Sequence, residues 1–250
     1  MLNEIKGINK PFPYQTFSIA LCAAGVTVAT LIFPNFINVF GSTKPDLEFI
    51  QYFSLEFQHG YDSGSALIHL IPCLVILLFM GGTLEKIIGP LRFFMFNVAI
   101  ILMYAFTHQI FGMIGHGLTP VLFAYVPFIG YILNESRLIK TRSMYDEYYK
   151  TLWGIIIFVL GVIPVLLSII PVYFDANAGF SEQIILGNTL HIVLLVVGAI
   201  FAFNWKEIAR QRLLYFAKKK KFPPQKMENK GPYFALFYPL LLVLIFLLGK

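Results

Sequence analysis

Apolar residues run through this chain in long blocks, without the alternating polar face of a helix that lies on a soluble core. Seven such blocks fall at roughly 15–35, 66–81, 91–111, 118–134, 152–174, 189–204 and 232–249. A helix needs about 20 mostly apolar residues to cross the hydrocarbon core, where it satisfies its own backbone groups. The pattern therefore predicts an all-α polytopic membrane protein with seven spans. The second, fourth and sixth blocks are short, which predicts helices buried among their neighbours and starting below the membrane surface. No internal repeat and no separate soluble domain is visible. The division that follows is a six-helix membrane core over 1–204, a basic linker over 205–231, and a further C-terminal transmembrane helix over 232–250.

The segments between the blocks carry the polar information. Gly117-Leu118-Thr119-Pro120 separates the third and fourth blocks and reads as a helix start, with Thr119 as N-cap and Pro120 in the first helical position. Gly81-Gly82-Thr83-Leu84-Glu85-Lys86-Ile87-Ile88-Gly89 reads as a tight helix-to-helix connection bracketed by glycines. In the long segment 36–65, Tyr52-Phe53 and Phe57 suit a position in the headgroup region.

Composition sharpens the class. Only 13% of the residues are charged, against about 25% in an average soluble protein, and the mean hydropathy is +0.74. The net charge of +6 raises the question of nucleic acid, but its distribution answers it. Lys6, Lys10, Lys86, Arg92, Arg137, Lys140, Arg142 and Lys150 share one side with nine residues between Lys206 and Lys230, leaving only Lys44 and Lys250 opposite. The positive-inside tendency then places the N-terminus in the cytoplasm and the C-terminus outside, with no role for nucleic acid. Lys218–Lys221 is placed to lie near anionic lipid headgroups. Lys6 and Lys10 precede an apolar stretch longer than a signal core, which predicts a retained first span. With no transit peptide evident, a bacterial plasma membrane is expected. Cys22 and Cys73 both sit inside apolar blocks, which argues against a disulfide framework.

With that orientation, blocks two, four and six all begin on the outer side, so their first residues share a depth. His69 lies about one turn into the second, with Cys73 at i+4; Thr119 begins the fourth and His191 the sixth. Ionisable groups at membrane depth usually face the protein interior and mark candidate sites. All five histidines, His59, His69, His108, His116 and His191, fall on the outer side. No two have the i, i+3 or i, i+4 spacing of a dedicated metal site, so no metal or other cofactor is expected. Cys73 reads as a small buried hydrophobe.

Three segments carry a resemblance. The first runs from Phe49-Ile50-Gln51-Tyr52-Phe53 through His59, His69-Leu70 and Cys73 to Gly81-Gly82-Thr83-Leu84-Glu85-Lys86 and Gly89. The second is Gly117-Leu118-Thr119-Pro120-Val121-Leu122-Phe123-Ala124, and the third is Leu190-His191 with Gly198 seven residues on. Together they are similar to the rhomboid intramembrane serine proteases over roughly half the chain. The resemblance implies a six-helix core, here with one added C-terminal helix. It implies a nucleophile at Thr119 and a histidine base at His191. It also implies oxyanion donors at His69 and Cys73, an aromatic at Phe123 and close packing at Gly117 and Gly198.

The chain departs from that family at chemically important positions. Thr119 stands where the family has serine, and its extra methyl stiffens χ1 and crowds attack. Pro120 stands in place of glycine and restricts the backbone of Thr119. Cys73 replaces an asparagine donor with a weak one. Ile50-Gln51 replaces Trp-Arg, about five residues are inserted between His59 and His69, and Leu194 replaces a small residue, which should loosen the approach of spans four and six. Three functional readings follow. The chain is a catalytically degenerate relative that binds transmembrane segments of client proteins, an intramembrane endopeptidase using Thr119 with His191, or a carrier or metal-handling protein using the outer histidines.

Overall fold

The structure is a computed structural model that describes residues 12–40, 49–59, 63–111, 117–139, 182–217 and 230–248. The expected span at 152–174, the Lys218–Lys221 run and His116 lie outside the described residues. Among those described, every regular element is helical. The main helices are α1 (Tyr14–Ile32), the short α2 (Ile37–Phe40), α3 (Ser63–Ile88), α4 (Pro90–Phe111), α5 (Thr119–Ile139), α6 (Glu182–Ala217), α7 (Gly231–Ala235) and α8 (Phe237–Leu248). Among the described residues, five stretches are long and apolar enough to cross a membrane: Tyr14–Ile32, Ala66–Ile88, Pro90–Phe111, Thr189–Leu214 and Gly231–Leu248. The chain is thus an all-α, multi-pass membrane protein.

The distribution of side chains requires lipid. On α1 the buried face carries Gln15, Thr16, Thr27 and Thr30, while Phe17, Leu21, Val28 and Ile32 point outward. Polar inside and apolar outside is the reverse of a soluble helix. On α6 the inward stripe is Leu194, Gly198, Ala202, Ala209 and Leu213, and the outward stripe is Ile192, Val196, Ile200 and Phe203. Both follow the 3.6-residue period, and both are apolar.

Helix α5 carries the fourth block, expected to be short and buried among its neighbours, and it is buried there. It is 21 residues long, but it is not among the helices apolar enough to span by composition. Pro120, Tyr125, Pro127, Tyr131 and Asn134 dilute its apolar content. The reason this is tolerated is position: Val121 through Val126, Phe128, Ile129 and Ile132 are all buried. A helix surrounded by protein need not match the lipid.

Its closest neighbour is α6. At Gly198 an added Cβ would lie 1.9 Å from the Ala124 carbonyl oxygen, so the two backbones touch there. Small residues permit this approach and the dispersion contacts that hold helices together in a membrane. Leu194, expected to loosen it, is fully buried one turn away; its side chain is housed and the backbones still meet at Gly198.

Three segment ends differ from the sequence reading. Gly81 to Gly89 is not a long turn, because α3 continues to Ile88 and Gly89 alone (φ +84°) turns the chain into Pro90 of α4. Gly81 instead receives Thr16 of α1, whose Cγ2 would lie 3.1 Å from an added Cβ. Second, α6 begins at Glu182 and runs through 204 to Ala217 as one helix, so His191 lies in its third turn and 205–217 continues the helix. Third, Tyr52, Leu55 and Phe57 are buried in the protein core, not laid in the headgroup region. Short 3₁₀ turns at Phe49–Phe53 and Leu55–Phe57 fold this segment inward, and the Ser54 hydroxyl donates to the Phe40 carbonyl at 2.6 Å.

The N-terminus of α1 is held from α3. Glu85 accepts from the backbone N–H groups of Gln15 (3.1 Å) and Thr16 (2.9 Å) and from the Thr16 hydroxyl (2.9 Å). These N–H groups have no partner within α1, and a carboxylate at the positive end of a helix suits them. Helices α7 and α8 complete the bundle beside α1 and α4. Ser18 donates to the Ala235 carbonyl at 2.6 Å, and Phe94 stacks on Phe234 with ring centroids 5.0 Å apart.

The Gly198 contact gives a clear expectation. Gly198→Ala should lower the thermal midpoint of the purified protein by several degrees, because the backbones must separate. Gly130→Ala, with nothing within 4 Å of its added Cβ, should leave it unchanged or raise it, since alanine is the better helix former by about 1 kcal/mol. A midpoint scan of both variants in detergent checks the contrast.

Candidate functional site

The site is built from a loop, a turn and three helix faces. Gly117 has φ +110°, a backbone that favours glycine, and an added Cβ would crowd His69 Cε1 at 3.1 Å. This turn is pinned to the 49–59 segment by two backbone donors. Gly117 N–H donates to the Leu55 carbonyl at 2.9 Å, and Leu118 N–H donates to His59 Nε2 at 3.1 Å. Since Nε2 accepts, the neutral His59 carries its proton on Nδ1, which lies 3.3 Å from the Phe57 carbonyl. Thr27 of α1 closes this end at 3.4 Å from the same carbonyl.

These bonds change the role of Thr119. The Leu118 carbonyl accepts from Leu122 N–H at 3.0 Å, so Leu118 is the flanking residue and Thr119 is the first helical one. The expected N-cap role for Thr119 is therefore corrected. With the flanking position one residue earlier, at Leu118, the threonine oxygen takes its partners outside its own helix. That oxygen faces α3. It lies 2.8 Å from His69 Nε2 and 3.5 Å from Cys73 Sγ. His69 and Cys73, one turn apart on a single helix face, bracket the hydroxyl. Cys73 is buried, but its sulfur belongs to this polar group and does more than fill space.

His191 is placed differently. Its ring stacks on Phe123 with centroids 4.5 Å apart and an interplanar angle of 29°. Its Nδ1 is buried with no hydrogen-bond partner among the described residues, and the partners of the Thr119 hydroxyl there are His69 and Cys73. The structure thus brings His69, Cys73, Thr119 and Gly117 into direct contact. Phe123 and His191 form a ring stack with each other, and Gly198 lies two turns beyond His191 along α6.

The other histidines divide. His59 joins the site, its ring edge-on to His69 at 5.2 Å, while His108 stacks on Tyr104 within α4 at 4.4 Å. Among the described residues, no group of three His, Cys, Asp or Glu side chains is placed to hold a metal ion. The sequence reading singled out neither His59 nor Leu55 as a site residue. His59 is visible as a polar residue ten positions before His69, but the Leu55 contribution is a backbone carbonyl and leaves no trace in side-chain chemistry.

Searches against family models, curated proteins and solved structures find no match to this chain.

Glu56, in the segment that pins the turn, is almost fully buried between Leu55 and Phe57. Burial pushes its carboxyl well above the ordinary value near 4.5. The folded state therefore binds a proton that the unfolded chain releases as pH rises through about 4.5. This contribution to stability is fully present below that pH and declines above it, until the folded group itself ionises. Glu56→Gln, which stays neutral, should melt close to the parent near pH 4.5 and above it by several degrees at about pH 8. Paired melting curves across that range test this; a gap that does not grow with pH would contradict the assignment.

Proposed function

We propose that the chain is a rhomboid-like membrane protein, catalytically degenerate, that binds transmembrane segments of client proteins without cutting them. The observation that carries this reading is the engagement of the Thr119 hydroxyl by His69 and Cys73 of α3 at 2.8 and 3.5 Å, while the α6 imidazole stacks on Phe123 with its Nδ1 unbonded among the described residues. A family peptidase needs its hydroxyl on the α6 base, with donors preset for the developing oxyanion. Here the hydroxyl is bonded from α3, and the donor position holds a thiol, a weak hydrogen-bond donor. Losing one oxyanion donor alone costs about 10²–10³ in rate.

The fold is suited to holding a helix. Its described helices present continuous apolar faces to lipid, and the half-buried residues Thr119, His69 and His191 offer polar partners near one end of the bundle. A client segment with a polar residue at that depth would gain hydrogen bonds it lacks in hydrocarbon. The distribution of lysine and arginine supports a cytoplasmic N-terminus and an external C-terminus.

Co-reconstitution in liposomes with a panel of tagged single-span proteins tests the proposal. At least one client should co-purify at full length, and its mass should not change on incubation. Fragments that appear with the parent protein and vanish with Thr119→Ala or His191→Ala would establish an endopeptidase and overturn the reading. So would failure of every single-span protein to co-purify.

A further inference from the structure

The contact between Thr119 and His69 has a chemical consequence that does not depend on client binding. We infer that Thr119 and His69 form a nucleophile–base pair, able to take an acyl group from an ester, with the base on α3 and not on α6.

Three observations converge. The hydroxyl and the imidazole nitrogen are 2.8 Å apart, the separation of a strong hydrogen bond between a nucleophile and its base. The partners of the oxygen are His69 and Cys73 of α3 and not the N–H groups of its own first turn, so it is not drawn back into capping. The hydroxyl also sits in the first turn of α5, whose positive end favours negative charge developing on Oγ1. Thr119 and His69 are each only half-buried, so a small ester can reach them. Cys73 Sγ, 3.5 Å from the oxygen, orients the hydroxyl without competing strongly for it.

The step balances. Thr119 Oγ1 bonds to the ester carbonyl carbon as its proton passes to His69 Nε2. The bond from that carbon to the leaving oxygen breaks, and His69 returns the proton to the departing alcohol. Thr119 is left esterified. An ester with a good leaving group demands less of the oxyanion donors than an amide does, so this reactivity is compatible with a protein that leaves peptide bonds intact.

A fluorophosphonate is the probe. The Oγ1–P bond forms, the P–F bond breaks, fluoride leaves, and the proton stays on His69. Peptide mass spectrometry of the detergent-purified full chain should place one phosphonyl group per chain on Thr119, and none with Thr119→Val. His69→Gln keeps a hydrogen-bonding side chain without a base and should slow labelling about 100-fold. His69→Ala should recover part of the rate when free imidazole is added, a response that a purely structural histidine would not give. Failure of the unmodified protein to label at Thr119 overturns the inference without recourse to any variant. Labelling of His69→Gln at the parent rate overturns it, as does labelling that is lost in His191→Gln but retained in His69→Gln.

Discussion

The contact of two backbones at Gly198 and Ala124 is the constraint on which the rest of the bundle depends. Helices in lipid gain little from hydrophobic association, because the surrounding chains are as apolar as the side chains. Close approach of backbones supplies the attraction instead, and an added Cβ at Gly198 would leave only 1.9 Å to the Ala124 oxygen. This contact makes α5 the central helix. It also sets the rotation of α6: His191 is seven residues, about two turns, before Gly198 and therefore lies on the same face. Phe123, next to Ala124 on α5, is the surface it meets, and the 4.5 Å ring stack follows. The contact that packs the core is thus also what holds His191 against Phe123.

Hydropathy alone carries much of the fold. Block lengths and the scarcity of charge point to a multi-pass helical protein, and five of the described stretches meet the length and apolarity of a span. The gathering of His69, Cys73 and Thr119 also follows from placing three helix starts at one depth. Which imidazole takes the hydroxyl does not. That choice depends on helix rotation, which hydropathy does not carry: the Thr119 hydroxyl meets His69 of α3, while His191 stacks on Phe123. The same limit applies at Gly81, where glycine reads as part of a turn but serves as a slot for Thr16 within a continuous helix. Glycine signals both uses with the same letter.

The 49–59 segment explains why so polar a stretch can sit inside a membrane protein. Its 3₁₀ turns bury Leu55 and Phe57 while its backbone carbonyls accept from Gly117 and approach Thr27 and His59. Irregular backbone at membrane depth is tolerated only where protein satisfies it. Here that accounting fixes the turn before α5, and the buried Glu56 side chain sits within the same support. The site is therefore not an insertion into an otherwise complete bundle, because the contacts that position Thr119 are also those that make the segment's burial possible.

Helix starts complete the argument. The first N–H groups of any helix need partners, and in sequence the nearest serine or threonine is the default supplier. This protein uses distant side chains. The N-terminus of α1 is served by Glu85 from α3, and the Leu118 N–H at the start of α5 by His59 from the 49–59 segment. Both carry a local cost, since each buries a polar side chain that then requires its own partners. In α1 the exchange ties the helix to α3. In α5 it ties the turn to the 49–59 segment, and separately the Thr119 oxygen meets the His69 imidazole at 2.8 Å. A threonine that bonded the N–H groups of its own first turn would have left His69 without this partner and Thr119 with no reactive role to test.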